Sequence, residues 1–330
     1  MTDPTAIAVD VLIAAWNRSD TIDRAVSSAL SQPEVRAVIV VDDGSTDDTA
    51  IQAVRAGTGG GRVIVRRLPS NVGPSAARNH GLEASTAPWI AILDADDYLL
   101  PGRLGKMLSF ADGLDFVADD ILGVASSRIG KEDPQPIMFD RHFEPWRLDF
   151  AAFVLGNRSS HRPHAELGYF KPLMRRAFLD RHQLRYDDRL RLGEDYALYA
   201  RALALRARFL VTPALGYVSV LRSDSLSARH TREDLERHRD VDLELGEIKG
   251  LSGSDRRALR KHYRSMDARV QWAVMVEAFK ARAPVRFLSP FARSPEVSLF
   301  VLRMLGREVY RRLLNPAARA RERQLMSDRR

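Results

Sequence analysis

The chain has 330 residues, no cysteine and a formal net charge of +8. Without cysteine, disulfides, zinc–thiolate sites and thiol catalysis are excluded. No apolar run approaches the roughly 20 residues that span a bilayer, and no basic and then apolar leader opens the chain, so we expect a cytoplasmic protein. Residues 1–120 carry 10 Lys/Arg against 17 Asp/Glu, whereas residues 241–330 carry 20 against 10. This division predicts an acidic front that can hold a cation and a basic rear that meets an anionic partner.

Apolar strands and amphipathic helices alternate along the first third of the chain. Strands are predicted at 8–15, 35–41, 62–68 and 89–93, with helical periodicity between them. The alternation predicts an α/β fold, a mostly parallel sheet with helices on its faces. Because the carboxyl ends of parallel strands share one sheet edge, the polar residues that follow these strands should converge there.

The fourth predicted strand runs directly into three carboxylates, Asp94, Asp96 and Asp97. Carboxylates crowded at a strand end repel one another unless they share a cation, and hard divalent ions often join carboxylates to a diphosphate. The alternative to a cation site is an acidic turn that caps a helix. Asp97 is expected to cap the helix that begins near Pro101. Since no G-x-G-x-x-G follows the first strand, dinucleotide binding is disfavoured.

Four motifs in series carry a family resemblance: D-V-L-I-A-A-W-N-R, V-I-V-V-D-D-G-S-T-D, N-V-G-P-S-A-A-R-N and L-D-A-D-D. Together they resemble the nucleotide-sugar domain of family 2 inverting glycosyltransferases, which have the GT-A fold. The whole chain looks closest to the glucosyltransferases that build succinoglycan-type bacterial exopolysaccharides. Trp16 stands where that family more often has Tyr, which could alter the base pocket.

The resemblance implies a UDP-sugar site at the ends of the first three strands. Asp43 would accept a hydrogen bond from the uracil ring, and the small side chain of Ala14 would leave room for the base. Asn71 would bind the nucleoside, and Arg78 would offset diphosphate charge. Turn and capping chemistry remains an alternative for Asp43 and Asn71, and Asp42 is expected to be structural.

The resemblance also implies a divalent metal, Mn²⁺ or Mg²⁺, and a catalytic base. Asp96 would bind the metal directly, and Asp94 would reach the ribose or the metal. In L-R-L-G-E-D-Y, Asp195 would take the proton of the acceptor hydroxyl, and Glu194 would position acceptor hydroxyls. The residues alone leave a simpler alternative, because acids in a first helical turn are favoured by the helix dipole.

Between these motifs the pattern is less informative. Asp119 and Asp120 follow an apolar run and are expected at the surface. The candidates for a sugar-binding surface are His142, Trp146, His161, His164 and Tyr169. Pro163 makes a metal site on the two histidines beside it unfavourable. A segment resembling the family's Ser-Leu-Ser offers three candidate diphosphate or acceptor ligands, Arg222, Ser225 and Ser227.

The C-terminal region is helical in pattern from Thr231. Its last predicted helix places apolar residues four apart, at Val297, Val301, Leu305, Val309 and Leu313, with four arginines among them. Such a basic amphipathic helix can lie on an anionic membrane surface, cover the flank of the sheet, or form a dimer.

The expected organisation has four parts. Residues 1–120 form the nucleotide-sugar half, 121–230 the acceptor and catalytic-base half, 231–314 a helical extension, and 315–330 a disordered basic tail. The expected activity moves a hexose, first of all glucose, from a UDP-sugar to a saccharide, and the acceptor would be a lipid-diphosphate-linked oligosaccharide at the inner face of the plasma membrane. No nucleic-acid partner is expected. The alternatives are a nucleotidyltransferase and a non-catalytic nucleotide-sugar-binding protein.

Overall fold

The computed structural model of the chain describes residues 8–58, 60–139, 143–158, 166–221 and 230–314. For residues 311–314 it describes the backbone alone. Within these ranges the strands are β1 (Val9–Ala15), β2 (Val35–Asp42), β3 (Val63–Arg67), β4 (Trp89–Ile92), β5 (Tyr98–Leu99), β6 (Phe116–Asp119), β7 (Leu122–Ala125), β8 (Gln135–Pro136), β9 (Trp146–Leu148), β10 (Leu173–Arg175), β11 (Phe209–Thr212) and β12 (Tyr217–Leu221). The helices are α1 (Ile22–Leu30), α2 (Thr49–Ala56), α3 (Pro74–Ala84), α4 (Arg103–Ser109), α5 (Phe150–Gly156), α6 (Arg176–Arg181), α7 (Glu194–Ala204), α8 (Arg232–Gly246), α9 (Gly253–Lys280), α10 (Pro284–Leu288) and α11 (Pro295–Leu314). None of these helices is long and apolar enough to cross a membrane.

Eight strands form one mixed sheet in the order β3-β2-β1-β4-β10-β6-β11-β9. The strands β3, β2, β1 and β4 are parallel, as their apolar sequences predicted. β10 then enters between β4 and β6 and is antiparallel to both. The predicted α/β class is confirmed. The parallel half of the sheet brings the ends of β1, β2 and β4 to one edge.

A second, four-stranded sheet has the order β5-β12-β7-β8. β12 pairs antiparallel with β5 and parallel with β7. Since β5 begins directly after Asp97, this pairing brings Tyr217 and Val220 of β12 next to the carboxyl end of β4. The small sheet therefore closes one side of the edge at which the polar residues gather.

The C-terminal helices begin with capping boxes. Thr231 caps α8 together with Asp234, and Ser252 caps α9 together with Asp255. The side-chain oxygen of Ser252 accepts the hydrogen bond of the Asp255 amide, and the Asp255 carboxylate accepts that of the Ser252 amide.

Asp119 and Asp120 are buried, so the prediction that they lie at the surface is wrong. Asp119 forms an ion pair at 2.6 Å with Arg103, the first residue of α4, whose side chain is fully buried. Asp120 accepts a hydrogen bond from the amide of Met138, and burial raises its pKa to about 6. Asp119 ends the buried strand β6 and Asp120 follows it, and their partners lie on other elements of the chain.

Candidate active site

A cluster of alternating charges lies at the carboxyl end of β4. The two oxygens of Asp94 face two cations, Arg78 at 3.1 Å and Lys171 at 3.0 Å. Lys171 also lies 2.8 Å from Asp195, and Arg78 lies 2.6 Å from Glu194. The carboxylates of Asp94 and Asp195 thus alternate in space with the cations Lys171 and Arg78, and Glu194 lies at the edge of this cluster. The structure brings together four side chains that the sequence had proposed for opposite halves of the site.

Local structure explains how these side chains reach one place. Asp94 follows β4, all of whose residues are buried. Arg78 lies on α3, which begins at Pro74 after Gly73 with φ +97°. Glu194 and Asp195 open α7 after Gly193, whose φ of +75° lies in the left-handed region that favours glycine.

The cations keep the carboxylate of Asp94 ionised. Burial alone would raise the pKa of Asp94, but the charges of Lys171 and Arg78 outweigh it and lower that pKa to about 2. Burial likewise opposes the charge of Lys171, yet Asp195 and Asp94 raise its pKa above the ordinary value. Asp94 and Lys171 are therefore both charged at neutral pH.

Asp195 is held from two further sides. The hydroxyl of Tyr199, one helical turn later, lies 3.4 Å from its Oδ1 atom. Arg78 lies 3.8 Å from the same atom, and Lys171 contacts Oδ2. The side chain of Asp195 is mostly buried, with 11% exposed. Its carboxylate is therefore held in one orientation, and a small part of the side chain stays exposed.

Asp96 and Asp97 point in different directions. Asp96 lies 3.6 Å from Arg18 and keeps 30% of its side chain exposed. Asp97 is buried and accepts hydrogen bonds from the Tyr217 hydroxyl and the Val220 amide. Burial, together with the charges of Asp94 and Asp96, raises the pKa of Asp97 to about 7. The prediction that Asp97 caps α4 is wrong, because its side chain joins β12 instead.

Asp43 and Ala14 lie at the ends of neighbouring strands. The amide of Asp43 donates to the carbonyl of Ala15, next to Ala14. Both oxygens of Asp43 accept backbone hydrogen bonds, from Val72 at 2.7 Å and Gly73 at 2.9 Å. A carboxylate has about four lone-pair sites, so Asp43 can hold this loop and accept a further donor. The assignment to the uracil ring stays a prediction.

The remaining nucleoside candidates have clear positions. Asn71 is exposed in the loop that Asp43 holds. Asp42 is fully buried, accepts from the Ser45 amide and lies 3.4 Å from Arg67, as expected of a structural residue. Six candidates lie outside the described residues: His142, His161, His164, Arg222, Ser225 and Ser227.

Lys171 is the central residue that the sequence analysis missed. It lies two residues before β10, and the register of that strand with β4 places it beside the residues that follow Ile92. A charged residue two positions before a short strand was the only available signal in the sequence, and such residues are usually exposed. Only the antiparallel insertion of β10 beside β4 brings Lys171 to Asp94.

The donor atoms present suit a divalent metal only in part. Asp94 and Asp96 are separated by one residue just after the strand, and both keep about a third of their side chains exposed. Within the described ranges, no group of three His, Cys, Asp or Glu side chains could hold a metal ion. Two carboxylates fit a hard cation that completes its shell with diphosphate oxygens and water.

Comparison with known proteins identifies the family. Residues 10–179 match the family described as Glycosyl transferase family 2. The succinoglycan biosynthesis protein ExoU of Rhizobium meliloti (strain 1021) is 45% identical over 279 residues, which cover 82% of this chain and 79% of ExoU. The chain belongs to glycosyltransferase family 2. It is therefore an enzyme of the glycosyltransferase class, as its four motifs predicted.

Other members and structures agree with this assignment. The succinoglycan biosynthesis protein ExoO of the same strain is 35% identical over 319 residues, covering 94% of this chain and 87% of ExoO. Among solved structures, S. aureus TarS 1-349 in complex with UDP has a TM-score of 0.60 at 18% identity, covering 92% of this chain and 91% of that TarS 1-349 chain. The mannosyltransferase PcManGT from Pyrobaculum calidifontis, in complex with GDP-Man and Mn²⁺, has a TM-score of 0.57 at 16% identity, covering 96% and 84%. At these identities the two structures show the fold alone, and the GT-A prediction is confirmed.

Replacing Lys171 by Met should destabilise this family 2 enzyme. The change leaves the carboxylates of Asp94 and Asp195 facing each other without their shared cation, and breaking such a buried pair costs about 3–5 kcal/mol. Adding Asp195→Asn removes one of the two charges and should restore part of the unfolding free energy, measured in urea. A double variant that is no more stable than Lys171→Met would contradict the pairing of Lys171 with Asp195.

Proposed function

We propose that the enzyme transfers a hexose, with glucose as the first expectation, from a UDP-sugar to a saccharide hydroxyl with inversion at the anomeric carbon. The observation that carries this proposal is the contact of Lys171 with both Asp94 and Asp195. It joins the strand end proposed to bind the donor to the helix proposed to activate the acceptor. ExoU and ExoO are named for succinoglycan biosynthesis, and TarS has been solved with UDP and with UDP-GlcNAc.

In the proposed mechanism, Asp195 is the general base. As the acceptor oxygen attacks the anomeric carbon, its proton passes to the Asp195 carboxylate, the bond from that carbon to the diphosphate breaks, and UDP leaves. Lys171 and Tyr199 hold the carboxylate in place. Glu194, next to the base and bound to Arg78, positions acceptor hydroxyls.

The donor half of the proposal uses the ends of the parallel strands. Asp43 and Ala14 would hold the uracil ring, and Asn71 the nucleoside. Arg78, now paired with Asp94 and Glu194, carries positive charge near the place assigned to the diphosphate. Asp94 and Asp96 would hold Mn²⁺ or Mg²⁺, which offsets the charge that develops on the leaving diphosphate.

Asp195→Asn should bind UDP normally and lose transfer activity by about 10²- to 10⁴-fold, since the amide cannot accept the proton. The measurement is UDP release from a panel of UDP-sugars in the presence of a lipid-linked oligosaccharide pool. Asp180→Asn, an exposed acid on α6, is the matched control and should keep the wild-type rate. A wild-type rate for Asp195→Asn would remove Asp195 as the base. Release of pyrophosphate instead of UDP would favour the nucleotidyltransferase alternative.

Asp96→Ala should weaken Mn²⁺-supported UDP binding by about tenfold or more, because loss of even a group that only hydrogen-bonds a metal ligand typically costs about 10- to 100-fold in metal affinity. Titration calorimetry with and without Mn²⁺ measures this, and Asp112→Ala, at an exposed acid, serves as the control. If Asp96→Ala binds UDP and Mn²⁺ as the wild type does, Asp96 is not a metal ligand.

We further propose that the acceptor is lipid-diphosphate-linked and that α11 touches an anionic membrane surface. The stripe singled out in the sequence faces the protein in part, because Val297 and Val301 are buried against α9. The opposite face of α11 is apolar and open, with side chains 52–70% exposed at Leu299, Leu302, Val309 and Tyr310. Arg303 and Arg307 follow along one border of that face, in the part of the chain with the largest positive charge.

Leu299→Glu with Leu302→Glu should reduce binding to phosphatidylglycerol vesicles by about tenfold or more, because membrane affinity scales with buried apolar area. Co-sedimentation measures the bound fraction, and vesicles of phosphatidylcholine alone should bind little. Leu243→Glu, at an exposed leucine on α8, is the matched control. Unchanged sedimentation of the double variant, or a wild-type dimer that the double variant dissociates, would contradict the membrane assignment.

A further inference from the structure

The residues on both sides of the Glu194–Asp195 pair are held by the C-terminal helices. On one side, the imidazole of His238 in α8 packs against Gly193, so closely that a Cβ atom added there would lie 2.6 Å from the ring. On the other side, the hydroxyl of Tyr196 donates a hydrogen bond of 2.6 Å to Asp242 of α8. The first turn of α7 is thus fixed immediately before and immediately after its two acids.

Asp242 is the centre of this arrangement. Its second oxygen lies 2.7 Å from the Nδ1 atom of His262 in α9, and its side chain is 1% exposed. The ring of His262 is fully buried and stacks on the ring of Tyr196, with centroids 4.6 Å apart. One buried carboxylate therefore joins α7, α8 and α9 through these two hydrogen bonds.

The loop that leads to α7 is held in the same manner. Arg189 lies 2.7 Å from Glu244 of α8, and Arg201 of α7 lies 2.7 Å from the other oxygen of the same glutamate. On the opposite side, the Ser75 hydroxyl of α3 donates to the carbonyl of Leu190. The approach to the proposed base is thereby held between α8 and the helix that carries Arg78.

The histidines at this interface do not form a metal site. The described residues contain no group of three potential ligands, as stated above. Burial lowers the pKa of His238 to about 3, so its ring is neutral and packs as an aromatic surface against Gly193. The contacts at this interface therefore hold the first turn of α7 in place.

We propose that Asp242 is a positioning residue for the reaction: through Tyr196 and His262 it sets the orientation of the α7 turn that carries Asp195. This inference rests on the proposed role of Asp195 as the base. A displacement of a catalytic group by about 1 Å can cost on the order of 10²-fold in rate. Binding of the donor, which is assigned to the ends of the parallel strands, should be unaffected by such a displacement.

The kinetic test compares Tyr196→Phe and Asp242→Asn with the wild type. Both variants should lower kcat by about tenfold or more, while the donor KM and the affinity for UDP stay within about twofold. Val301→Ala is the matched control for stability, because it makes a cavity in the separate cluster between α9 and α11. It should lower the melting temperature and leave kcat unchanged. Equal losses of kcat in all three variants at equal losses of stability would overturn the proposal.

Hydrogen exchange gives a readout that does not depend on transfer activity. In Asp242→Asn the amides of residues 194–197 should exchange faster than in the wild type, while the amides of β1 and β2 are unchanged. Unchanged exchange in the α7 turn would overturn the positioning role. A wild-type enzyme that releases no UDP would instead contradict the proposed function, so the two failures are distinguishable.

Discussion

The buried ammonium group of Lys171, shared by Asp94 and Asp195, is the interaction on which the geometry of the site depends. Two carboxylates taken out of water repel each other strongly, because the local dielectric constant is low. A cation between them turns that repulsion into a link between the end of β4 and the first turn of α7. Arg78 adds a second link from α3. The proposed donor and acceptor halves of the enzyme are thus held by one set of ion pairs.

Much of the parallel half of the fold could be predicted from the sequence. Strands buried on both faces are mostly apolar, which is the case for β1, β2 and β4 apart from Asp10 in β1 and Arg36 and Asp42 in β2. Polar residues directly after such strands must lie at the sheet edge, and Asp43 and Asp94 do so. Asp195 was chosen through family resemblance, because an acid in a first helical turn has a simple structural explanation.

The rest depends on contacts between distant segments, which local pattern does not encode. β10 has three residues, too few to predict its antiparallel place between β4 and β6, and Lys171 was missed with it. Asp119 looked like a surface acid, since charged residues are rarely buried without a partner. Its partner Arg103 approaches from α4, fully buried, and a hydrogen bond from Arg103 to the carbonyl of Lys171 connects this pair to the site.

Two hydrophobic clusters divide the helical extension within its own length, and not at residue 231, where the sequence predicted that it begins. Val241, Leu245 and Leu259 belong to the main hydrophobic core, whereas Ala268 and Met275 pack with α11 in a separate cluster. The transition therefore lies within α9, between Leu259 and Ala268. α8 and the start of α9 share their core with the α7 turn that carries Asp195. The end of α9 and α11 form the part proposed to contact a membrane surface, and their apolar contacts are separate from those of the α7 turn.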